Sequence, residues 1–225
     1  PPLVLNRLTG LVRLGIVVTI AFTGQRLPSN QIGYWPATVG IELAASAPIL
    51  GEPIRRLMTG GDTVGALTLT RFYALHVVVL PALLGLFVVW HLALLRKHGP
   101  MRRVDDDSSA TEAFFPRQFF RDMVAISVAL FGLVFFAVVL GGPESPALDL
   151  SDTSYTPRPE WYFLAHYELL KLTQGELQRV LVAFVLPSIV VLALALLPWL
   201  DRGKSAAWHH RKPVVAAALA VAVGG

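Results

Sequence analysis

Residues 68–99 read TLTRFYALHVVVLPALLGLFVVWHLALLRKHG. Between Phe72 and Leu95 this stretch carries no Asp, Glu, Lys or Arg, and it is long enough to cross ~30 Å of hydrocarbon, which takes about 20 helical residues. Leu8 to Leu27, Phe119 to Leu140 and Val180 to Leu200 are of the same kind, and another apolar run begins at Val214. With 54% hydrophobic and only 15% charged residues in 225, lipid is the expected solvent. The fold class that follows is an all-α polytopic membrane helix bundle, with four complete spans and the start of a fifth.

The chain begins at Pro1 without Met and stops at Gly225 inside an apolar run, so a piece of a longer protein is expected. The first block is too long for a cleaved signal peptide and has no small-residue cleavage site after it. Absence of cysteine removes disulfides, iron–sulfur ligation and thioether haem attachment, leaving His and carboxylate as metal ligands. The net charge of +4 sits beside helix ends and forms no tract, which speaks against nucleic acid as a partner.

Charge placement sets the orientation. Arg96, Lys97, Arg102, Arg103, Arg117 and Arg121 lie between the second and third spans, and Arg202, Lys204, Arg211 and Lys212 follow the fourth. The positive-inside rule puts 96–121 and 201–212 in the cytoplasm, or its topological equivalent, and 29–70 and 141–176 on the outer side. The outer loops are too long to be featureless. Ala37 to Ala45, Pro53 to Met58 (closed by Gly60-Gly61) and Glu160 to Leu172 are expected as short amphipathic helices over the outer ends of the spans. Residues 105–112, rich in Asp and Ser, read as a polar linker between a part at 1–104 and a part at 113–225.

His76 lies near the outer end of the second span and His91 near its inner end. On a straight helix they stand about 60° apart around the axis and about 22 Å apart along it. One reading makes each a helix-interface histidine bonded to a neighbouring hydroxyl or carbonyl. The other takes ionisable groups in a span as functional by default, and imidazole as the commonest nitrogen ligand of haem iron. Two ligands so far apart cannot share one haem, so this reading demands two sites stacked across the membrane, each with a second ligand from elsewhere.

Thr68 to His76, Val79-Leu80-Pro81, His91 and Arg96-Lys97-His98-Gly99 together resemble the fourth transmembrane helix of cytochrome b of the bc1 and b6f complexes, and the fifteen-residue interval is similar to the b6 type. The resemblance covers the family's third to seventh helices and implies two b haems, with His76 on the outer and His91 on the inner one. Their other ligands belong to a helix that precedes this segment in the family. Arg71 is placed either to pair with a haem propionate or to snorkel at the interface.

Pro159-Glu160-Trp161-Tyr162 has a local explanation as a helix start within an aromatic belt. It also resembles the family's quinol-oxidation motif. That resemblance implies that Glu160 bonds the quinol hydroxyl and takes its proton, with Tyr162 positioning the ring or relaying the proton and Pro159 and Trp161 shaping the pocket. Thr23 to Trp35 resembles the stretch that lines the same site, through Gly24, Leu27, Pro28 and Trp35. Gln25, Ser29 and Pro36 depart from the family pattern there, where a Tyr, a Trp and a small residue are usual. His166 and His209-His210 lack partners at ligand spacing and read as structural or exposed.

The function implied is the cytochrome b subunit of a quinol:cytochrome c oxidoreductase, or of one with a plastocyanin-like acceptor. It would hold two b haems, oxidise quinol at the outer face and pass electrons across the membrane with proton translocation. The implied partners are a Rieske iron–sulfur protein, a c-type cytochrome, the preceding cytochrome b helices and a second copy of the complex. The competing class is a haem-free transporter or channel module with the histidines in a proton or substrate path.

Overall fold

The computed structural model describes residues 2–99, 113–141, 145–152, 154–200 and 216. The linker at 105–112, the stretch 201–212 expected in the cytoplasm with His209-His210, and the fifth apolar run apart from Ala216 lie outside the described residues.

The described residues fold into helices: α1 (Pro2–Gln25), α2 (Gln31–Ala45), α3 (Gly51–Thr59), α4 (Ala66–His98), α5 (Phe114–Leu140), α6 (Leu164–Lys171) and α7, which spans Glu176–Leu197 and ends at Leu200. α1, α4, α5 and α7 are each long and apolar enough to cross a membrane. All four start several residues before the apolar blocks, at Pro2, Ala66, Phe114 and Glu176, because helical hydrogen bonding continues through polar residues at the interface. The single β feature described is a bridge between Asn30 and Ala147.

Burial is inverted relative to a water-soluble protein. The buried apolar side chains are few, with Ile41 and Phe72 the largest, while Thr9, Thr23, Arg26, Gln31, Thr59 and Thr68 are all buried. Phe131, Leu133 and Val138 point outward, and no residue in the apolar core of α5 is buried. In lipid such a surface carries no transfer penalty, whereas polar groups must find partners inside. The chain is therefore a multi-pass membrane protein whose interior is organised by hydrogen bonds.

α4 is not a straight α-helix. Leu75–Val79 forms a π turn closed by the Leu80 N–H on the Leu75 carbonyl, and Pro81 follows it. α7 repeats the device, with Leu181–Val185 closed by the Leu186 N–H on the Leu181 carbonyl ahead of Pro187. Proline donates no N–H, and its ring crowds the carbonyl four residues back, so a widened turn removes the clash. The extra residue in α4 falls almost entirely between His76 and His91. Their fifteen-residue interval therefore spans the turns of about fourteen regular residues, roughly 21 Å and 40° of rotation, in place of the straight-helix offset.

The outer loops are pinned to each other. Asn30 caps α2 by accepting the Gly33 N–H at 2.8 Å, and this cap starts the helix at Gln31, six residues earlier than apolar periodicity alone suggests. α3 ends at Gly60 with φ 78°, the left-handed stop expected of glycine. The buried Thr68 hydroxyl donates to the Thr59 carbonyl at 2.8 Å, tying the end of α3 to the start of α4. From the second loop, the Pro146 carbonyl accepts the Gln31 N–H at 3.3 Å and Ser145 Oγ accepts the Ile32 N–H at 3.3 Å.

Gly33 tests this loop geometry, because a Cβ there would lie 2.2 Å from the Pro28 carbonyl oxygen. Gly33→Ala is expected to destabilise the protein by on the order of 1–3 kcal/mol, read as a lower midpoint of thermal unfolding in detergent. An unchanged midpoint would contradict the close approach.

Candidate functional site

The two histidines of α4 both turn Nδ1 towards α1. His76 Nδ1 lies 3.0 Å from the Ile20 carbonyl and 3.2 Å from Thr23 Oγ1, and His91 Nδ1 lies 2.9 Å from Thr9 Oγ1. The hydroxyl protons are already committed, since Thr23 donates to the Thr19 carbonyl at 2.8 Å and Thr9 to the Asn6 carbonyl at 2.8 Å. A carbonyl only accepts, and these hydroxyls have only lone pairs to offer. Nδ1 must therefore carry the proton in both rings, which leaves the basic lone pair on Nε2. Nε2 has no hydrogen-bond partner in either ring among the described residues. This is the tautomer that binds a metal through Nε2, with the other nitrogen oriented by a neighbouring acceptor.

The register of the pair follows from the π turn. Thr9 and Thr23 are fourteen residues apart on a regular helix, and the histidines fifteen apart on one with an extra residue, so both contacts form on antiparallel neighbours. Gly24 makes the outer contact possible, because a Cβ there would sit 2.7 Å from His76 Cε1. Near His91, Asn6 Oδ1 and Arg13 Nε are buried without partners. They flank Thr9 at i−3 and i+4, on the same face of α1. Orphaned polar atoms beside the metal-competent imidazole of His91 fit a polar-edged, iron-bearing group such as haem.

A cavity of about 960 Å³ opens at the outer ends of the helices, between α1, α2, α6 and α7. Its walls are mainly apolar, with Phe22, Val39, Leu43, Phe163, Leu186 and Val190 prominent, and its size suits a small organic molecule. Phe22 packs on Phe72 with ring centroids 5.8 Å apart and lies over Gly40, where a Cβ would come within 2.6 Å of the ring. The Tyr167 hydroxyl donates to the Pro157 carbonyl at 3.0 Å and holds the Pro157–Pro159 strap against α6.

Among the residues singled out by motif, Pro159 and Tyr162 line this cavity. Glu160 stands at its edge, where its carbonyl accepts the Phe163 N–H at 2.9 Å and starts a 3-10 turn over Trp161–Phe163 that runs into α6. Burial, and secondarily the Glu160 charge, push the Tyr162 phenol above its ordinary pKa. Trp161 is 77% exposed and packs edge-on against Tyr162. Gly24, Leu27, Pro28 and Trp35 are not in the lining. Gly24 instead backs His76, and the Trp35 indole donates to Gln31 Oε1. Gln31, 1% exposed, in turn donates to the Asp149 carbonyl at 2.9 Å, so Trp35 serves to join the two outer loops.

Two positions that depart from the family pattern, Gln25 and Pro36, do line the cavity. Arg71 Nη1 donates to the Arg56 carbonyl at 3.0 Å and also to the Leu57 carbonyl, capping the end of α3. His166, read from the sequence as structural or exposed, lines the cavity as well. A signal that could have pointed to it is its i+4 spacing from Tyr162, which puts both on one helical face.

Comparison with known proteins agrees with this architecture. The family profile described as Cytochrome b(N-terminal)/b6/petB matches residues 2–147, and that described as Cytochrome b(C-terminal)/b6/petD matches residues 149–224. Cytochrome b of Rickettsia prowazekii (strain Madrid E) is 35% identical over 211 residues, covering 90% of this chain and 52% of that protein. Cytochrome b of Marchantia polymorpha is 34% identical over 199 residues, covering 85% and 48%. The chain thus spans about half the length of the curated relatives it matches. A solved structure of a hyperthermophilic respiratory Complex III superposes with a TM-score of 0.77 at 24% identity, over 94% of this chain and 58% of that one. At that identity the likeness speaks for the fold.

Gln31→Ala removes the side-chain link between the outer loops and leaves the half-buried Trp35 N–H unpaired, at about 1–3 kcal/mol. Hydrogen exchange at the Gln31 and Ile32 amides, which donate into the second loop, is expected to accelerate in the variant. Equal protection would mean that the backbone bridge alone holds the loops.

Proposed function

The chain belongs to the cytochrome b family, and on that premise we propose that it is the haem-binding and quinol-oxidising membrane subunit of a quinol:cytochrome c-type oxidoreductase. The observation that carries this reading is that Nδ1 of both His76 and His91 rests against acceptor oxygens of α1, an arrangement that puts the proton on Nδ1 and leaves Nε2 for iron. His76 is assigned to a haem on the outer side and His91 to one on the cytoplasmic side, with the other axial ligands on helices outside this segment. A b haem held by these residues would supply one-electron exchange at its iron. Arg71, anchored on the end of α3, keeps further N–H groups for a propionate.

The cavity at the outer ends of the helices is assigned to quinol. Its apolar walls suit a ring with an isoprenoid tail, and Pro159 and Tyr162 of the Pro-Glu-Trp-Tyr segment contribute to one side of it. Oxidising a quinol requires two protons as well as two electrons to leave. Glu160, at the cavity edge and outside the lipid-facing helices, is assigned to take one proton and release it to the outer side. Tyr162 is protonated throughout the neutral range because burial raises its pKa, so it serves as a hydroxyl donor that orients the ring.

The proposed setting is a bacterial cytoplasmic membrane, with 29–70 and 141–176 outside and 96–121 and 201–212 in the cytoplasm. The parts at 1–104 and 113–225 correspond to the b6-like and subunit IV-like halves. A Rieske iron–sulfur protein, a c-type cytochrome and a second copy of the complex are the proposed partners.

Reduced-minus-oxidised spectra of the full-length protein test the haem assignment. Two b-type components are expected, and none at all would favour the haem-free transporter reading. Gly24→Val should push the His76 ring out of place and remove the outer component while the inner one stays. Glu160→Gln in the assembled complex should slow quinol oxidation by about 10²-fold with both haem components intact. Full turnover in that variant would reduce Glu160 to a helix-start residue.

A further inference from the structure

His166 is a titratable group of the cavity, beside Arg158 and Tyr167, that neither the histidine pair nor the Pro-Glu-Trp-Tyr segment accounts for. It projects from α6 into the lining, one turn beyond Tyr162 and on the same face, while Gln25 supplies a polar group from α1 on another wall. The side chain is half-buried and has no hydrogen-bond partner among the described residues. Its neighbour Tyr167 has its hydroxyl engaged on Pro157, so the two adjacent residues do different work. Burial pushes the imidazole pKa below its ordinary value, and the ring is neutral at neutral pH.

A neutral imidazole carries one donor and one acceptor. Nothing fixes which nitrogen of His166 bears the proton, in contrast to His76 and His91, whose Nδ1–H is dictated by α1. The His166 ring nitrogens stay open to the cavity, so a ligand that fills it must replace the hydrogen bonds that solvent would otherwise make there. Apolar walls alone bind a flat ring without fixing its orientation, and a small number of placed polar groups supply that.

We infer that His166 is a ligand-binding residue of this cavity, hydrogen-bonding one ring oxygen of a bound hydroquinone or quinone. It accepts from the hydroxyl of the reduced form and donates to the carbonyl of the oxidised form, changing tautomer between the two. This assignment rests on the quinol reading of the cavity and adds a specificity residue distinct from Glu160, which stands at the edge and outside the lining.

The test is steady-state oxidation of decylubiquinol by the assembled complex in native membranes. His166→Phe keeps an aromatic ring and removes the hydrogen bond, and it is expected to raise KM about tenfold with kcat changed less than about threefold and both haem components retained. His166→Gln, which keeps a donor and an acceptor, should return KM to within about threefold of the wild type. If the phenylalanine variant does not assemble, His166→Leu replaces it against His166→Gln with the same expectations. An unchanged KM in the apolar variant overturns the inference while the quinol reading stands, as does a Gln variant no better than the apolar one. A wild-type complex that assembles with its haems and oxidises no quinol overturns both.

Discussion

The whole arrangement depends on two side-chain hydrogen bonds between antiparallel helices, those that hold Nδ1 of His76 and His91 on α1. They determine how α1 and α4 face each other, because Thr9 and Thr23 can meet both imidazoles only in one register. They also determine the chemistry, since a proton fixed on Nδ1 leaves Nε2 as the basic atom. Pro81 is part of the same device. By forcing a π turn it inserts the residue that brings a fifteen-residue interval on α4 into step with a fourteen-residue interval on α1. Packing, register and ligand chemistry are thus one problem with one solution.

Lipid as the solvent explains why hydrogen bonds carry so much of this. Apolar side chains gain little from turning inward when the surroundings are equally apolar, so Phe131 and Val138 remain outside. Threonine hydroxyls, by contrast, have no water to bond at that depth and must be satisfied within the protein. The outer loops lie at the boundary and use both means: an apolar patch around Phe22, Phe72 and Ile41, and a polar seam running from Trp35 through Gln31 to Asp149. The cavity sits where the two meet, with apolar walls and a sparse set of polar groups.

Much of the architecture was legible in the linear chain. Apolar block length marks four spans, Gly60 marks the end of α3, and the family motifs mark both histidines and the strap before α6. Helix starts were less legible, because Asn30 caps α2 through a side chain whose role depends on the turn that precedes it. Motif membership also did not map directly onto cavity lining. Gly24 belongs to the quinol-site stretch by resemblance, yet the structure sets it behind His76. Gln25 and Pro36, where the chain departs from the family, face the cavity, together with a histidine that no motif contains.

By itself the sequence determined the membrane class, the order of elements, and the presence of two imidazoles at opposite depths, because these depend on the composition and spacing of residues near one another in the chain. The tertiary structure decided which nitrogen of each ring is free, how the π turn corrects the interval between them, and which side chains line the cavity. Those properties arise from groups tens of residues apart: 53 between Thr23 and His76, 82 between Thr9 and His91, 118 between Gln31 and Asp149. Local periodicity has no access to such pairings, because a hydrogen bond is directional and exists only where folding brings donor and acceptor together.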